Sequence, residues 1–194
     1  MKTLPDLDIL LVDDDPAILS ALRRGITRGW AQWGAEARVH LCTSPSTALG
    51  RLLTESVDIV IADYRMPEME GIELLRRVRD LQPFSGRILL ADASDYNALL
   101  QMANEVGVAR VLVKPWADEE LVESLRQCVE MRRLLLENAE LADQLRVQRG
   151  QISSKEADTR RQGFLEPEVT QVVFTPSHFG ELHSAAAPLS GGHG

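Results

Sequence analysis

Five short apolar runs, separated by segments of helix length, constrain the fold of this chain more than any other feature. They are rich in valine, isoleucine and leucine, and they span residues 8–13, 37–42, 58–63, 87–92 and 109–114. Strands that are buried on both faces of a parallel sheet have this length and composition. The intervening segments begin near Pro16, Pro45, Gly71 and Ser94, and Ser44 before Pro45 suits a helix N-cap. The pattern predicts a doubly wound α/β fold, with right-handed crossovers and helices on both faces of the sheet.

The net charge and the spacing of the cysteines indicate which partners and which cellular compartment to expect for this chain. The formal net charge of −8 argues against a sequence-independent nucleic-acid surface. Cys42 and Cys128 lie far apart, without the spacing of a zinc site or a disulfide framework. Acidic residues interrupt the first apolar run well below the length of a signal peptide or a membrane span. We therefore expect a cytoplasmic protein with no nucleic-acid or membrane partner.

A long helical pattern, from about residue 118 to 149, follows the fifth apolar run. Its second half carries a 3-4 heptad spacing at Met131, Leu134, Asn138, Leu141, Leu145, Gln148 and Ile152. An asparagine inside such a seam typically fixes the register of a parallel dimer, so the pattern predicts a homodimer. The alternative is an amphipathic helix that packs on its own domain or on a partner. We expect a globular domain over 1–130, a coiled-coil extension over 131–152 and a disordered tail over 153–194.

Charged residues stand where three of the predicted strands end. Asp13, Asp14 and Asp15 follow the first strand, Asp63 ends the third, and Lys114 ends the fifth. Ligands of open parallel sheets bind outside the carboxyl ends of the strands. If the strand order is the common 2-1-3-4-5, the first and third strands are neighbours and their carboxylates form a cluster within reach of Lys114.

This cluster has the composition of a phosphoryl-transfer site. Adjacent carboxylates repel one another unless a cation is present, and Mg²⁺ prefers hard oxygen ligands while leaving positions for water and phosphate oxygens. A carboxylate at the end of a central strand, such as Asp63, can act as a nucleophile and form an acyl phosphate. Lys114 can then supply positive charge to a phosphoryl oxygen.

Three motifs, VDDD at 12–15, DYRMPEMEG at 63–71 and KPW at 114–116, resemble the receiver (CheY-like) domain of bacterial two-component response regulators. The resemblance covers roughly residues 6–130 and implies a flavodoxin-like (βα)5 fold with a long C-terminal helix. It implies that Asp63 is the phosphoacceptor and that Asp13 and Asp14 hold Mg²⁺, with Asp14 and Asp63 as direct ligands. It further implies that Arg65 lends its backbone carbonyl to the metal, and that Lys114, usually followed by a cis Pro115, contacts the phosphoryl group.

The resemblance also implies partners and an activity. Receivers accept the phosphoryl group from a histidine kinase or a phosphotransfer protein and signal to a downstream protein. They catalyse only their own phosphorylation and slow dephosphorylation, so we do not expect an enzyme that acts on other substrates. Signalling would use the 118–152 helix, by dimerisation or by binding a partner protein.

Two positions depart from the receiver pattern and concern the conformational switch. Receivers usually carry threonine or serine at the end of the fourth strand, where this chain has Ala91. They often carry tyrosine or phenylalanine three residues before the lysine, where this chain has Val111. Ser94 could replace the missing hydroxyl if its loop is shifted, although it suits the start of the next helix. We therefore expect the phosphorylation chemistry to be intact and the conformational response to phosphorylation to be altered.

Three other interpretations of these residues remain open. Asp15 can serve a helix start instead of the site. Asp13 and Asp15 form the D-x-D pattern of haloacid-dehalogenase-like phosphatases, an interpretation that leaves DYRMPEMEG unexplained. The third is a phosphate-independent adaptor that acts through its coiled coil, which Ala91 and Val111 would favour.

Overall fold

The computed structural model describes residues 4–165, in which five strands alternate with helices before a final helical pair. The elements are β1 (Leu7–Val12), α1 (Pro16–Ala31), β2 (Ala37–Cys42), α2 (Pro45–Leu52), β3 (Ile59–Asp63), α3 (Gly71–Leu81), β4 (Gly86–Asp92), α4 (Tyr96–Val106), β5 (Arg110–Lys114), α5 (Asp118–Gln148) and α6 (Ser154–Leu165). The strands are parallel and follow the order β2-β1-β3-β4-β5. The predicted fold class and strand order are confirmed.

Two apolar layers hold the helices on the sheet. Alternate side chains of the strands pack on one face against α2, α3 and α4, and on the other against α1 and α5. Trp30, at the end of α1, is fully buried, and its indole N–H donates to the Pro5 carbonyl at 3.0 Å. Because β1 and β3 are buried on both faces, their polar side chains stand only near the strand ends, and the site lies at the carboxyl ends.

Helix starts follow the sequence signals in two cases and depart from them in a third. Pro16 and Pro45 occupy first-turn positions, and Ser44 accepts a hydrogen bond from the Thr47 amide at 3.2 Å. The expected start of the fourth helix near Ser94 is wrong by two residues. A turn closed by the Asp95 amide on the Asp92 carbonyl at 3.0 Å occupies this position, and α4 begins at Tyr96.

The predicted disordered tail is wrong for residues 154–165, which form α6. Ser153 and Glu156 make a capping box: the Ser153 amide donates to the Glu156 carboxylate at 2.7 Å, and the Glu156 amide donates to the Ser153 hydroxyl at 3.2 Å. Gly150, with φ +66°, ends α5 and lets the chain reverse, so α6 packs against α5. Residues 166–194, the rest of the predicted tail, lie outside the described residues.

The same turn shortens the predicted heptad seam. Because α5 ends at Gln148, Ile152 lies outside the helix. Across residues 4–165, we find no helix that combines the length and apolar composition needed to cross a membrane.

Candidate functional site

An acidic pocket lies at the carboxyl ends of β1 and β3. The strand register pairs Val12 with Ala62, which sets Asp13 beside Asp63 at this edge of the sheet. Carboxylate oxygens of Asp13, Asp14 and Asp63 lie within 4.8 Å of one another. The side chains of Asp13 and Asp63 are buried, whereas Asp14 is exposed. The structure thus brings together the acids that the sequence predicted to cluster.

Lys114 joins this pocket from β5, two strands away from Asp63. Its Nζ lies 2.7 Å from Oδ1 of Asp63 and 3.1 Å from Oδ2 of Asp13. Burial acts to lower the pKa of Lys114, but the hydrogen bonds to both carboxylates outweigh it, and the pKa is raised. The ammonium is therefore held charged between the two acids. The Lys114–Pro115 peptide bond is cis, as the resemblance implied.

The second oxygen of Asp63 is held by the loop that follows β3. The backbone amide of Arg65 donates to Oδ2 of Asp63 at 3.1 Å. Further along this loop, the Gly71 amide donates to the Tyr64 carbonyl at 2.8 Å and closes the turn into α3. Both oxygens of the Asp63 carboxylate are therefore oriented before any ligand arrives.

The three carboxylates fit a hard divalent cation. They supply closely spaced oxygen donors, and the exposed side chain of Asp14 leaves the pocket open to solvent on one side. Mg²⁺ is held in proteins by one or two carboxylates together with water and phosphate oxygens. The residues present therefore match what the resemblance implied for a magnesium site.

Burial makes Asp13 costly to ionise. It raises the pKa of Asp13, against the hydrogen bonds that its carboxylate receives from the Asp15 amide at 2.8 Å and from Lys114. Because the folded-state pKa lies above the ordinary value of 3.8, folding is favoured below that ordinary value, and this contribution is lost as pH rises through the raised pKa. At neutral pH Lys114 and the Asp15 amide thus offset only part of the cost of ionising the buried Asp13 carboxylate, and a bound cation would offset more of it.

Asp13→Asn should raise the thermal unfolding midpoint in metal-free buffer at pH 7, since the neutral amide avoids this cost. Scanning calorimetry with and without Mg²⁺ measures the effect, which should shrink when Mg²⁺ stabilises the wild type. Asp14→Asn is the matched control: this neighbouring acid is exposed and should change the metal-free midpoint less. A metal-free Asp13→Asn protein that melts below wild type would contradict this account of the pocket.

An ion pair between the loop after β3 and the turn before α4 had no counterpart in the sequence interpretation. Nε and Nη2 of Arg65 donate to the two carboxylate oxygens of Asp95 at 2.9 and 2.7 Å. The hydrogen bond from Arg65 holds the pKa of Asp95 below its usual range. Thirty residues separate the partners, and neither position shows a local pattern that could have predicted the pair.

The remaining predicted positions lie in the apolar core and before two of the helices. Ala91 and Val111 are apolar residues packed in the layer under α4, which puts no hydroxyl at the end of β4. Ser94 is exposed in the turn before α4. Asp15 accepts from the Ala17 amide at 2.7 Å and caps α1, as its alternative interpretation expected.

The predicted seam on α5 is solvent-exposed along its length. Four of its side chains are among the most exposed large apolar residues of the described chain, at Met131, Leu134, Leu141 and Leu145. Asn138 is exposed in the middle of the same stripe. The described chain therefore presents an apolar stripe that it does not cover itself.

Comparison with known proteins agrees with this geometry. The family model described as "Response regulator receiver domain" matches residues 9–126. The hydrogenase transcriptional regulatory protein HoxA of Cupriavidus necator is 32% identical over 126 residues, which is 65% of this chain and 25% of HoxA. The transcriptional regulatory protein ZraR of Salmonella typhimurium is 32% identical over 154 residues, 78% of this chain and 32% of ZraR. The chain thus matches about a quarter to a third of the length of these relatives.

Solved structures show the same fold. The signal receiver domain of an HD domain-containing protein from Pseudomonas fluorescens is 33% identical, with a TM-score of 0.59 over 66% of this chain and 98% of that one. A response regulator receiver domain protein from Clostridium thermocellum is 26% identical, with a TM-score of 0.57 over 66% and 98% of the two chains. With its five parallel strands and its acidic pocket, the chain belongs to the response regulator receiver domain family.

Proposed function

We propose that this protein accepts a phosphoryl group on Asp63 in a Mg²⁺-dependent reaction and signals through α5. The donor would be a histidine kinase or a phosphotransfer protein of the cytoplasm. The main support is the geometry of Asp63: its carboxylate is buried, oriented by Lys114 and the Arg65 amide, and grouped with two further acids. The relatives HoxA and ZraR are named as regulatory proteins, which agrees with a signalling role.

In the transfer, an oxygen of Asp63 attacks the phosphorus of a phosphohistidine. An O–P bond to the carboxylate forms as the P–N bond of the donor breaks, and the imidazole leaves with the electron pair. Lys114, 2.7 Å from Oδ1, is placed to donate to an oxygen of the incoming group. The Arg65 amide keeps the other carboxylate oxygen in place. This positioning and charge stabilisation are what phosphoryl transfer requires of a protein.

Asp13, Asp14 and Asp63, with the backbone carbonyl of Arg65, would hold the metal ion. When bound, Mg²⁺ would supply positive charge that offsets the negative charge of the phosphoryl oxygens and of the three carboxylates. The reacting carboxylate is the protein's own. We therefore propose no turnover of other substrates, only self-phosphorylation and slow hydrolysis of the acyl phosphate.

Intact-mass measurement of the full chain with a small phosphodonor tests this function directly. We expect one added phosphoryl group in the presence of Mg²⁺ and none when a chelator removes the metal. Hydrodynamic analysis of the same samples would report whether assembly changes on modification. A chain that takes up no phosphoryl group under either condition would contradict the proposal and favour the phosphate-independent adaptor.

For the output, we propose a second copy of the chain on the exposed seam of α5. Side chains three and four residues apart share one helix face. Met131, Leu134, Leu141 and Leu145 follow this spacing. The ion pairs with α6, which join Asp143 to Arg160 and Glu140 to Arg161, lie on the opposite face. The seam is therefore free for a parallel partner, in which Asn138 would meet its own copy.

Asn138→Leu should strengthen this dimer while relaxing its register, because a buried polar pair is replaced by apolar contact. We expect the dimer to gain on the order of 2 kcal/mol, the value of burying such side chains. Sedimentation velocity over a concentration series would measure the change. Asn104→Leu, on the exposed face of α4, is the control and should leave association unchanged. If wild type and Asn138→Leu are both monomeric at micromolar concentration, the proposed dimer is contradicted.

We propose protein partners, and neither nucleic acid nor a membrane, for this chain. The support is electrostatic: the net charge of the chain is −8, and the first turn of α5 carries Asp118, Glu119 and Glu120. A partner protein other than a second copy of this chain would bind the same exposed seam of α5.

A further inference from the structure

The Arg65–Asp95 ion pair connects the acceptor pocket to the start of α4. Arg65 donates to Asp63 through its backbone and to Asp95 through its guanidinium. The Arg65 side chain is 65% exposed and that of Asp95 is 16% exposed, so the guanidinium faces solvent on the side away from Asp95. A continuous hydrogen-bonded path therefore runs from the acceptor carboxylate to a helix terminus.

Asp95 pairs with Arg65 and does not cap the helix that it precedes. Asp95 stands at the N-cap position of α4, yet within the described chain its side chain makes no capping hydrogen bond, and its backbone is helical (φ −94°, ψ −18°). An aspartate that caps a helix normally has an extended backbone and accepts from an amide of the first turn. In the structure Asp95 thus pairs with Arg65 and leaves its capacity to cap α4 unused.

The usual link between the site and α4 is missing from this chain. Ala91, at the end of β4, has no hydroxyl to move toward a phosphoryl group, and Val111 has no ring to follow it. Arg65 is placed to supply a link of a different kind. A phosphoryl group on Asp63 adds negative charge two residues before Arg65, and it binds arginine at least as strongly as a carboxylate does.

We propose that Arg65 and Asp95 read the phosphorylation state of Asp63 in place of the missing hydroxyl. In the phosphorylated protein the Arg65 guanidinium leaves Asp95 and binds a phosphoryl oxygen. Asp95 then turns to cap α4 through a first-turn amide, that of Asn97 or Ala98. This inference rests on the proposed function, because it requires a phosphoryl group on Asp63.

Hydrogen exchange of the first-turn amides of α4, followed together with intact mass, tests the inference on the full chain. A small phosphodonor with Mg²⁺ is the probe. In wild type we expect exchange of these amides to slow by about fivefold on modification, the factor that corresponds to one N-cap hydrogen bond. The mass of the same sample reports the fraction modified, so uptake and readout are measured separately.

Three variants separate the two arrangements of Asp95. Asp95→Asn removes the ion pair but keeps a good cap, so slow exchange should be present before the phosphodonor is added. Asp95→Ala can neither pair nor cap, so its first-turn amides should exchange fast before and after modification. Arg65→Gln releases Asp95 and should slow exchange in the unmodified protein. Glu55→Gln, which breaks the exposed pair between Arg51 of α2 and Glu55 in the segment after it, is the control and should behave as wild type.

Two outcomes overturn the inference while leaving phosphoryl uptake intact. One is a modified wild type whose α4 exchange is unchanged. The other is an Asp95→Ala protein that responds as wild type does. A wild type that acquires no phosphoryl group would instead overturn the proposed function, and the inference that rests on it would fail for that separate reason.

Discussion

Asp63→Asn is expected to abolish phosphoryl uptake completely. The amide oxygen of asparagine is too weak a nucleophile to form the O–P bond, and the variant also loses one of the three carboxylates of the candidate metal site. The fold should survive, because an amide oxygen can still accept a hydrogen bond from Lys114 or from the Arg65 amide. Intact mass with phosphodonor and Mg²⁺ measures uptake, and circular dichroism checks the fold.

Asp15→Asn provides the matched control for this loss. Asp15 stands two residues after Asp13, but its side chain caps α1 through the Ala17 amide. Asparagine caps helices as well as aspartate does, so stability and uptake should both remain at the wild-type level. Uptake that persists in Asp63→Asn would indicate that Asp13 or Asp14 is the phosphoacceptor. Uptake lost in both variants would indicate a general effect of removing acidic charge.

The acidic pocket was predictable because the rules of parallel sheets fix where strand ends meet. Once the apolar runs are taken as buried strands in the common order 2-1-3-4-5, Asp13 and Asp63 lie at the carboxyl ends of neighbouring strands. The pairing of Val12 with Ala62 in the structure is this arrangement. Lys114 reaches the same edge for the same reason. Short-range pattern and topology were sufficient for these three residues.

The Arg65–Asp95 pair was not predictable, because it depends on the path of two loops. Side chains that meet across thirty residues leave no periodic pattern in the sequence. The sequence predicts a helix start near Ser94, whereas in the structure Asp95 holds the N-cap position of α4. A turn closed by the Asp95 amide is a tertiary detail that propensity does not determine.

Helix α6 has a start signal in the sequence, but the composition of the residues after it favours disorder. Ser153 and Glu156 have the spacing of a capping box, S-x-x-E. The residues that follow are mostly polar and have no apolar stripe, so composition favoured disorder. Arg160 and Arg161 instead pair with acids on α5, and these contacts become visible only when the chain reverses at Gly150.

A pair of glycine-to-alanine substitutions should change stability in opposite directions. At Gly71, an added Cβ would overlap the carbonyl oxygen of Asp63 and lie 2.8 Å from its carbonyl carbon and 3.2 Å from Leu89 Cδ1. Gly71→Ala is expected to lower the free energy of unfolding by about 3 kcal/mol, at the upper end for overpacking. At Gly50, on the exposed side of α2, no described atom lies within 4 Å of the added Cβ. Gly50→Ala should instead add about 0.5–1 kcal/mol.

Chemical denaturation of both variants measures these changes, and the Gly71 result bears on the site as well as on the fold. The Cβ would push against the strand end that carries the acceptor, and the Gly71 amide holds the loop that contains Arg65. We therefore expect any folded fraction of Gly71→Ala to take up the phosphoryl group more slowly than Gly50→Ala. If Gly71→Ala unfolds at the wild-type denaturant concentration, the contact between α3 and the end of β3 is looser than the structure shows. This result would also contradict the claim that the loop after β3 orients the Asp63 carboxylate.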